Sequence, residues 1–230
     1  MSAAVEVGFQ RPIEYPESDG VPMGETDLHI DETIDAREAL KNQFRSDPTA
    51  YVAGNNLIYY EEGNPAARFS PDVYVVFGVP KRKRRIYKLW EEKVPPAFVL
   101  EVTSRGTRLE DKGSKKELCA ELGVQNYFLF DPEGDYLKPP LQGFHLVAGS
   151  YAPIEPDAKG RIFSIALGLS VTIEQGRLRF IDPATGERLL RVEEQVARAE
   201  QQTARAEQAE VRARAAEAEV ARLRALLEKK

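Results

Sequence analysis

Apolar and polar positions along the chain follow two rhythms. Runs with the two-residue period of strands occur at 51–60 (YVAGNNLIYY), 71–77 (PDVYVVF), 86–90 (IYKLW), 97–102 (AFVLEV) and 126–130 (NYFLF). Helical spacing predicts a first helix from about Glu25 to Phe44, with Ile30, Ile34, Leu40 and Phe44 as its apolar side, ending before Pro48. A second helix is expected over 108–122, opened by Thr107-Arg108-Leu109-Glu110, which fits a capping box. The strand at 126–130 stops at Asp131-Pro132 and a Glu-Gly-Asp turn. Residues 142–181 then read as short β segments (GFHLVAG, YAPI, SVTIE, RLRFI), expected as hairpins decorating the sheet edge. The pattern is that of an α/β body.

The rhythm changes at Gly186. Beyond it there is no Gly or Pro, and Ala, Glu and Arg dominate, which favours one long helix. Forty-four helical residues would reach roughly 66 Å. Small or apolar residues recur at Leu189, Val192, Val196, Ala199, Thr203 and Ala206, then at Ala209, Ala213, Ala216, Val220, Leu223 and Leu227. The short step between the two sets resembles a stammer in a heptad register. Alanine seams pack weakly, so this tail reads either as a solvated single helix or as a coiled coil that makes the protein a homo-oligomer. Three segments result: a lead-in over 1–23, turn-rich from 11, a body over 24–186 and the tail over 187–230.

Composition narrows the function. With 42% hydrophobic and 30% charged residues the chain has the balance of a globular protein. One cysteine excludes a disulfide framework and a Cys-based zinc site, and two histidines, His29 and His145, exclude a His-rich metal centre. There is no basic-then-apolar leader pattern and no apolar run of membrane length, so a cytoplasmic location is expected. The net charge of −5 runs against nucleic-acid binding, and the first 186 residues alone carry −6. Within that acidic body lies Lys81-Arg82-Lys83-Arg84-Arg85, read as a hairpin tip. Phosphates would have to meet such a local patch.

Three places put charge where a plain fold would not. Ser70-Pro71-Asp72-Val73 sends an acid into an apolar strand, with Asp72, Tyr74 and Val76 on one face. Glu101 ends a buried apolar run, where a carboxylate is costly unless a cation or hydrogen bonds meet it, and Thr103 shares its face. On the following helix Asp111, Lys115, Leu118 and Leu122 fall on one stripe, so two charges share phase with two core leucines. Two carboxylates and an ammonium would form an oxygen-rich pocket suited to Mg²⁺ or Mn²⁺ and to phosphodiester hydrolysis.

Pro71-Asp72 followed by Glu101-Val102-Thr103 resembles the PD-(D/E)XK signature of restriction-endonuclease-like nucleases. The block EVTSRGTRLEDKGSKKELCAELGVQNYFLFDP over 101–132 is similar to the core of a multi-copy bacterial family of restriction endonucleases, and the resemblance extends over roughly 12–186. It implies a mixed central sheet flanked by helices and Mg²⁺-dependent cleavage of DNA. It makes Asp72 and Glu101 metal ligands, Lys115 a migrated catalytic lysine and Asp111 a supporting acid. Thr103 stands where the family pattern has lysine, and Cys119 stands where an aromatic is usual.

Each element also has a plainer reading. Pro-Asp is a common turn dipeptide, Glu101 could be a satisfied structural acid, and Asp111–Lys115 an ordinary i,i+4 pair. Glu25 either completes the metal shell or favours a helix N-terminus. His29 either orients a phosphate or caps a surface. The run Lys81–Arg85 either grips DNA or blunts a sheet edge. The expected function is a Mg²⁺- or Mn²⁺-dependent endonuclease acting on DNA. The alternative is an inactive module of the same fold that assembles through its tail.

Overall fold

The computed structural model describes residues 13–18, 20, 25–104 and 106–227. Much of the lead-in expected over 1–23 therefore lies outside the described residues. The chain divides into two compact units, Met1–Leu189 and Leu190–Lys230. In chain order the first unit contains α1 (Asp27–Gln43), β1 (Ala50–Ala53), β2 (Ile58–Tyr59), β3 (Arg68–Phe69), β4 (Val73–Phe77), β5 (Tyr87–Lys88), α2 (Leu89–Glu92) and β6 (Phe98–Val102). It continues with α3 (Arg108–Lys112), α4 (Ser114–Glu121), β7 (Asn126–Phe130), β8 (Leu141–Val147), β9 (Ser150–Pro153), β10 (Ile162–Ser164), β11 (Leu169–Glu174) and β12 (Arg177–Ile181).

A six-stranded sheet ordered β1-β4-β6-β7-β8-β9 forms the centre. Only β6 and β7 run parallel, joined by the crossover that carries α3 and α4. The sheet is therefore mixed and the unit is α/β, with helices on both faces. Period two divides β6 between two cores. Phe98, Leu100 and Val102 join Val73, Val75, Phe128 and Phe130 under Ala36, Ala39 and Leu40 of α1. Val99 points the other way, to Tyr74, Val76, Tyr127, Leu129 and Cys119.

Four local expectations are corrected. The run 51–60 is broken at Gly54-Asn55, where Asn55 takes φ 56°, and its halves enter different sheets. The helix expected over 108–122 is split at Gly113, whose φ and ψ are −112° and −106°. Thr107 precedes it without a side-chain capping bond and turns back to Ser104, accepting that residue's N–H at 3.3 Å. Further on, β8 and β9 extend the central sheet rather than decorating it, while β10-β11-β12 form a separate antiparallel sheet.

The fourth correction concerns α1. Thr26 caps it by accepting the His29 N–H at 3.3 Å. Leu40 and Phe44 pack inward as expected, but Ile30 and Ile34 are 43% and 40% exposed, while His29, Glu32 and Thr33 are buried beside Ala36 and Ala39. The polar groups turn inward because the β12 end supplies partners. Glu32 accepts from Arg177 Nε at 2.7 Å and from the Leu178 N–H at 2.9 Å, while Arg177 Nη2 donates to Asp35 at 2.7 Å. Buried charges are tolerated when paired in this way.

The second unit holds α5 (Val192–Leu227), 36 residues long and solvent-exposed over nearly its whole length. Val196, Val211, Val220 and Leu227 are exposed apolar residues on it. No helix among the described residues is long and apolar enough to cross a membrane.

Because α1 is seated through Glu32, Glu32→Ala is expected to cost about 2–3 kcal/mol, the range for charge-assisted buried hydrogen bonds. Urea unfolding at unchanged m-value measures it; a midpoint equal to the parent's would contradict this seating.

Candidate functional site

The site forms where the start of β4 meets the end of β6. Register pairs Val73 with Leu100, which brings Asp72 beside Glu101. Each holds the other's strand. The Asp72 carboxylate accepts the Val102 N–H at 2.7 Å, and the Asp72 N–H points to Glu101 Oε2 at 3.4 Å. A cross-strand exchange of this kind leaves little freedom to either acid.

The crossover then delivers the cation. Lys115 Nζ donates to Glu101 Oε2 and Asp111 Oδ1, both at 3.1 Å. The break at Gly113 does not part Asp111 from Lys115, so the i,i+4 pairing survives across two short helices. Tyr127 from β7 donates its hydroxyl to the Asp111 carbonyl at 2.9 Å, tying α3 to the sheet. Thr103 is buried, and its N–H donates to the Phe130 carbonyl at 2.6 Å. The ammonium near Glu101 thus comes from the helix rather than from position 103. Cys119 packs fully buried on the same α4, and burial pushes its thiol up, away from nucleophile behaviour.

From the opposite side α1 contributes Glu25 and His29. His29 Nε2 lies 3.4 Å from Asp72 Oδ2, and its Nδ1 lies 2.7 Å from Glu25 Oε2, an ion-pair contact rather than an aligned hydrogen bond. Ligand atoms of Glu25, His29 and Asp72 all fall within 4.8 Å of one another. Glu101 stands behind this group, linked to it through Asp72. Side-chain exposure falls from 16% at Glu25 and 13% at Asp72 to 1% at Glu101 and Asp111. Solvent therefore reaches the site from the Glu25–Asp72 side.

Charge is out of balance here. Four carboxyl groups, Glu25, Asp72, Glu101 and Asp111, face one ammonium and one imidazole. Burial pushes Glu101 well above the ordinary carboxylate range, with Lys115 offsetting only part of that. Burial likewise raises Asp111 and Glu25. Burial alone would lower His29 and Lys115, yet both are raised, His29 by Asp72 and Glu25, Lys115 by Glu101, Asp111 and Asp72. Glu101 Oε1 and Asp111 Oδ2 are buried without a donor. Unpaired carboxylate oxygens in an over-acidic pocket are the donor set of a hard divalent cation. The residues present fit Mg²⁺ or Mn²⁺.

The Lys81–Arg85 run does not sit on a hairpin. It links β4 of the central sheet to β5 of the β3-β2-β5 sheet, so the strands on either side never pair. Its members have different surroundings. Lys81 Nζ donates to the Phe44 and Arg45 carbonyls at 3.0 Å, closing the end of α1. The Arg84 side chain is 3% exposed, bonded to both Glu92 oxygens and laid over the Tyr51 ring at 4.3 Å. Arg82 also pairs with Glu92, and Arg85 with Glu17. The side chain of Lys83 is exposed and makes no hydrogen bond or ion pair among the described residues.

Sequence reasoning missed the Val102 N–H, a backbone donor with no signature in the sequence.

A family model described as Uma2, "Putative restriction endonuclease", matches residues 13–179. Among solved structures the chain is similar to the crystal structure of "a putative nuclease belonging to DUF820" from Anabaena variabilis ATCC 29413. The likeness has 15% identity and a TM-score of 0.46, over 64% of this chain and 76% of that one. No curated protein matches the chain.

The surplus acid predicts a pH response. Glu25, Glu101 and Asp111 keep protons in the folded chain above their ordinary values of 4.5, 4.5 and 3.8, and His29 does so above 6.5. The folded state then binds more protons than the unfolded one, so stability falls as pH rises through those values. In chelator, Tm is expected to drop as pH rises above those ordinary values, and millimolar Mg²⁺ or Mn²⁺ to recover part of the loss. Differential scanning fluorimetry measures both; a Tm that rises with pH and ignores the cation would contradict this charge balance.

Proposed function

The chain belongs to the Uma2 family of putative restriction endonucleases, and on that premise we propose that its body hydrolyses DNA phosphodiester bonds with a divalent cation. The observation that carries this reading is the clasp of Asp72 and Glu101 beside a buried lysine, with Glu101 Oε1 unbonded. Asp72 and Glu101 would hold the cation, with Glu25 on the solvent side. Bound there, Mg²⁺ or Mn²⁺ supplies a Lewis acid that lowers the pKa of a water and offsets charge on the phosphate.

The protein's own groups do the rest. Lys115 stays protonated between Glu101 and Asp111, so it stabilises negative charge developing on the phosphate rather than acting as a base. Asp111 positions that ammonium and is itself fixed through its carbonyl by Tyr127. His29 positions Asp72 by pressing its imidazole toward Oδ2 with Glu25 behind it. The tail assembles copies of the chain through the exposed stripe that includes Val196 and Val220.

Asp72→Ala and Glu101→Ala are expected to abolish Mg²⁺- or Mn²⁺-dependent nicking of plasmid DNA. Lys115→Ala should lower turnover by about 10²–10³-fold, as for loss of one electrostatic stabiliser. Calorimetric metal titration should still detect binding to the Lys115 variant and none to the Asp72 variant. Parent-level cutting by Glu101→Ala would sink the mechanism, and a parent that binds no divalent ion would favour an inactive module of this fold.

A further inference from the structure

The strongest concentration of positive charge on the body has no part in the metal site. A cleft of about 520 Å³ lies along β1, the edge strand of the central sheet, with Val52, Ala53 and Gly54 on its floor. Arg37 and Lys41, one helical turn apart on α1, and Arg45, just beyond the helix end, form one side. The loop Lys81–Arg84 supplies the rest of the cationic lining. Seven cations are opposed by two acids that bond to them, Glu38 and Glu92. Arg45 and Lys83 are exposed, and their side chains make no hydrogen bond or ion pair among the described residues.

The cleft adjoins the strand end that carries Asp72. A Cβ on Gly54 would lie 2.0 Å from the Asp72 carbonyl oxygen, and the Asn55 N–H donates to the Pro71 carbonyl at 2.9 Å. One end of the cleft thus touches the backbone that presents Asp72. From there it follows α1, where Arg37 and Lys41 are about 6 Å apart at helical rise, and reaches Arg45 just past the helix end. A row of cations in excess over the acids that pair with them, leading away from an anion-hydrolysing site, suits a polyanion longer than one phosphodiester.

We propose that this cleft holds the sugar–phosphate backbone of the nucleic-acid substrate on one side of the cut, with Arg37, Lys41, Arg45 and Lys83 as its phosphate contacts. The inference rests on the nuclease reading for the identity of the polyanion. It also revises the basic run: Lys81 and Arg84 build the wall, Lys83 faces the ligand, and Arg85 lies outside the cleft.

Fluorescence anisotropy with a labelled duplex in EDTA separates binding from cutting. The variant Arg45→Glu/Lys83→Glu is compared with Lys138→Glu/Lys159→Glu, which changes net charge equally at exposed sites away from the cleft. Loss of two phosphate contacts should weaken binding at least tenfold and reduce the slope of log K against log salt by about 1.8, at about 0.9 per phosphate. The control pair should keep the parent slope. Equal slopes and affinities for the two double variants, or no salt-dependent binding by the parent, would overturn the cleft while leaving metal-dependent cutting to stand on its own test. Cleft-dependent binding by a protein that cuts nothing with any divalent ion would support the cleft and remove the nuclease reading. Circular dichroism confirms that both double variants are folded.

Discussion

A carboxylate with 1% of its side chain exposed cannot be left alone, and Glu101 organises its surroundings for that reason. The cost of desolvating it is several kcal/mol before any partner is counted. Lys115 supplies the opposite charge, but Lys115 is buried too and shares itself with Asp111. The Asp72 N–H adds a dipole and brings a second carboxylate to the same place. Each partner that relieves one acid therefore imports another. An interior built this way remains short of positive charge, and that shortage is its chemical content. A plain structural ion pair would close with one cation for one acid.

The helix α1 shows how a single element serves three parts of the molecule. Its first turn, with the residue just before its cap, carries His29 and Glu25 to the acidic site. Its middle is anchored by Glu32 and Asp35 on Arg177. Its C-terminal turns present Arg37 and Lys41 to the basic cleft and end under the Lys81 ammonium. Acid at the start and base at the end also suit the helix dipole. The inward polar face, which looks like a defect in an amphipathic pattern, is what lets one helix reach both places.

Much of this was legible along the chain. The strand 126–130, the faces of Asp72 and Glu101, and the pairing of Asp111 with Lys115 depend on spacing within one element, and spacing is local. The errors share a cause. Ile30 and Ile34 were taken for the buried side of α1 because periodicity weighs apolar residues and cannot see that Arg177, about 145 positions away, will satisfy Glu32. The turn at Gly54-Asn55 is likewise out of reach of local spacing, because it is set by close approach to the Pro71-Asp72 backbone.

What the order of residues alone determined is the inventory and its phase: an acid entering one strand, an acid ending another, a lysine one helical turn beyond a third, and a tail without Gly or Pro. Side-chain direction follows from backbone period, which is why those assignments needed no coordinates. Only the tertiary structure decided that β4 and β6 lie side by side, that His29 meets Asp72, that the basic run joins two sheets, and that Arg37, Lys41 and Lys83 line one cleft. These are contacts between distant segments. Many chain paths bring a given set of faces together, and the packing of the two cores selects one.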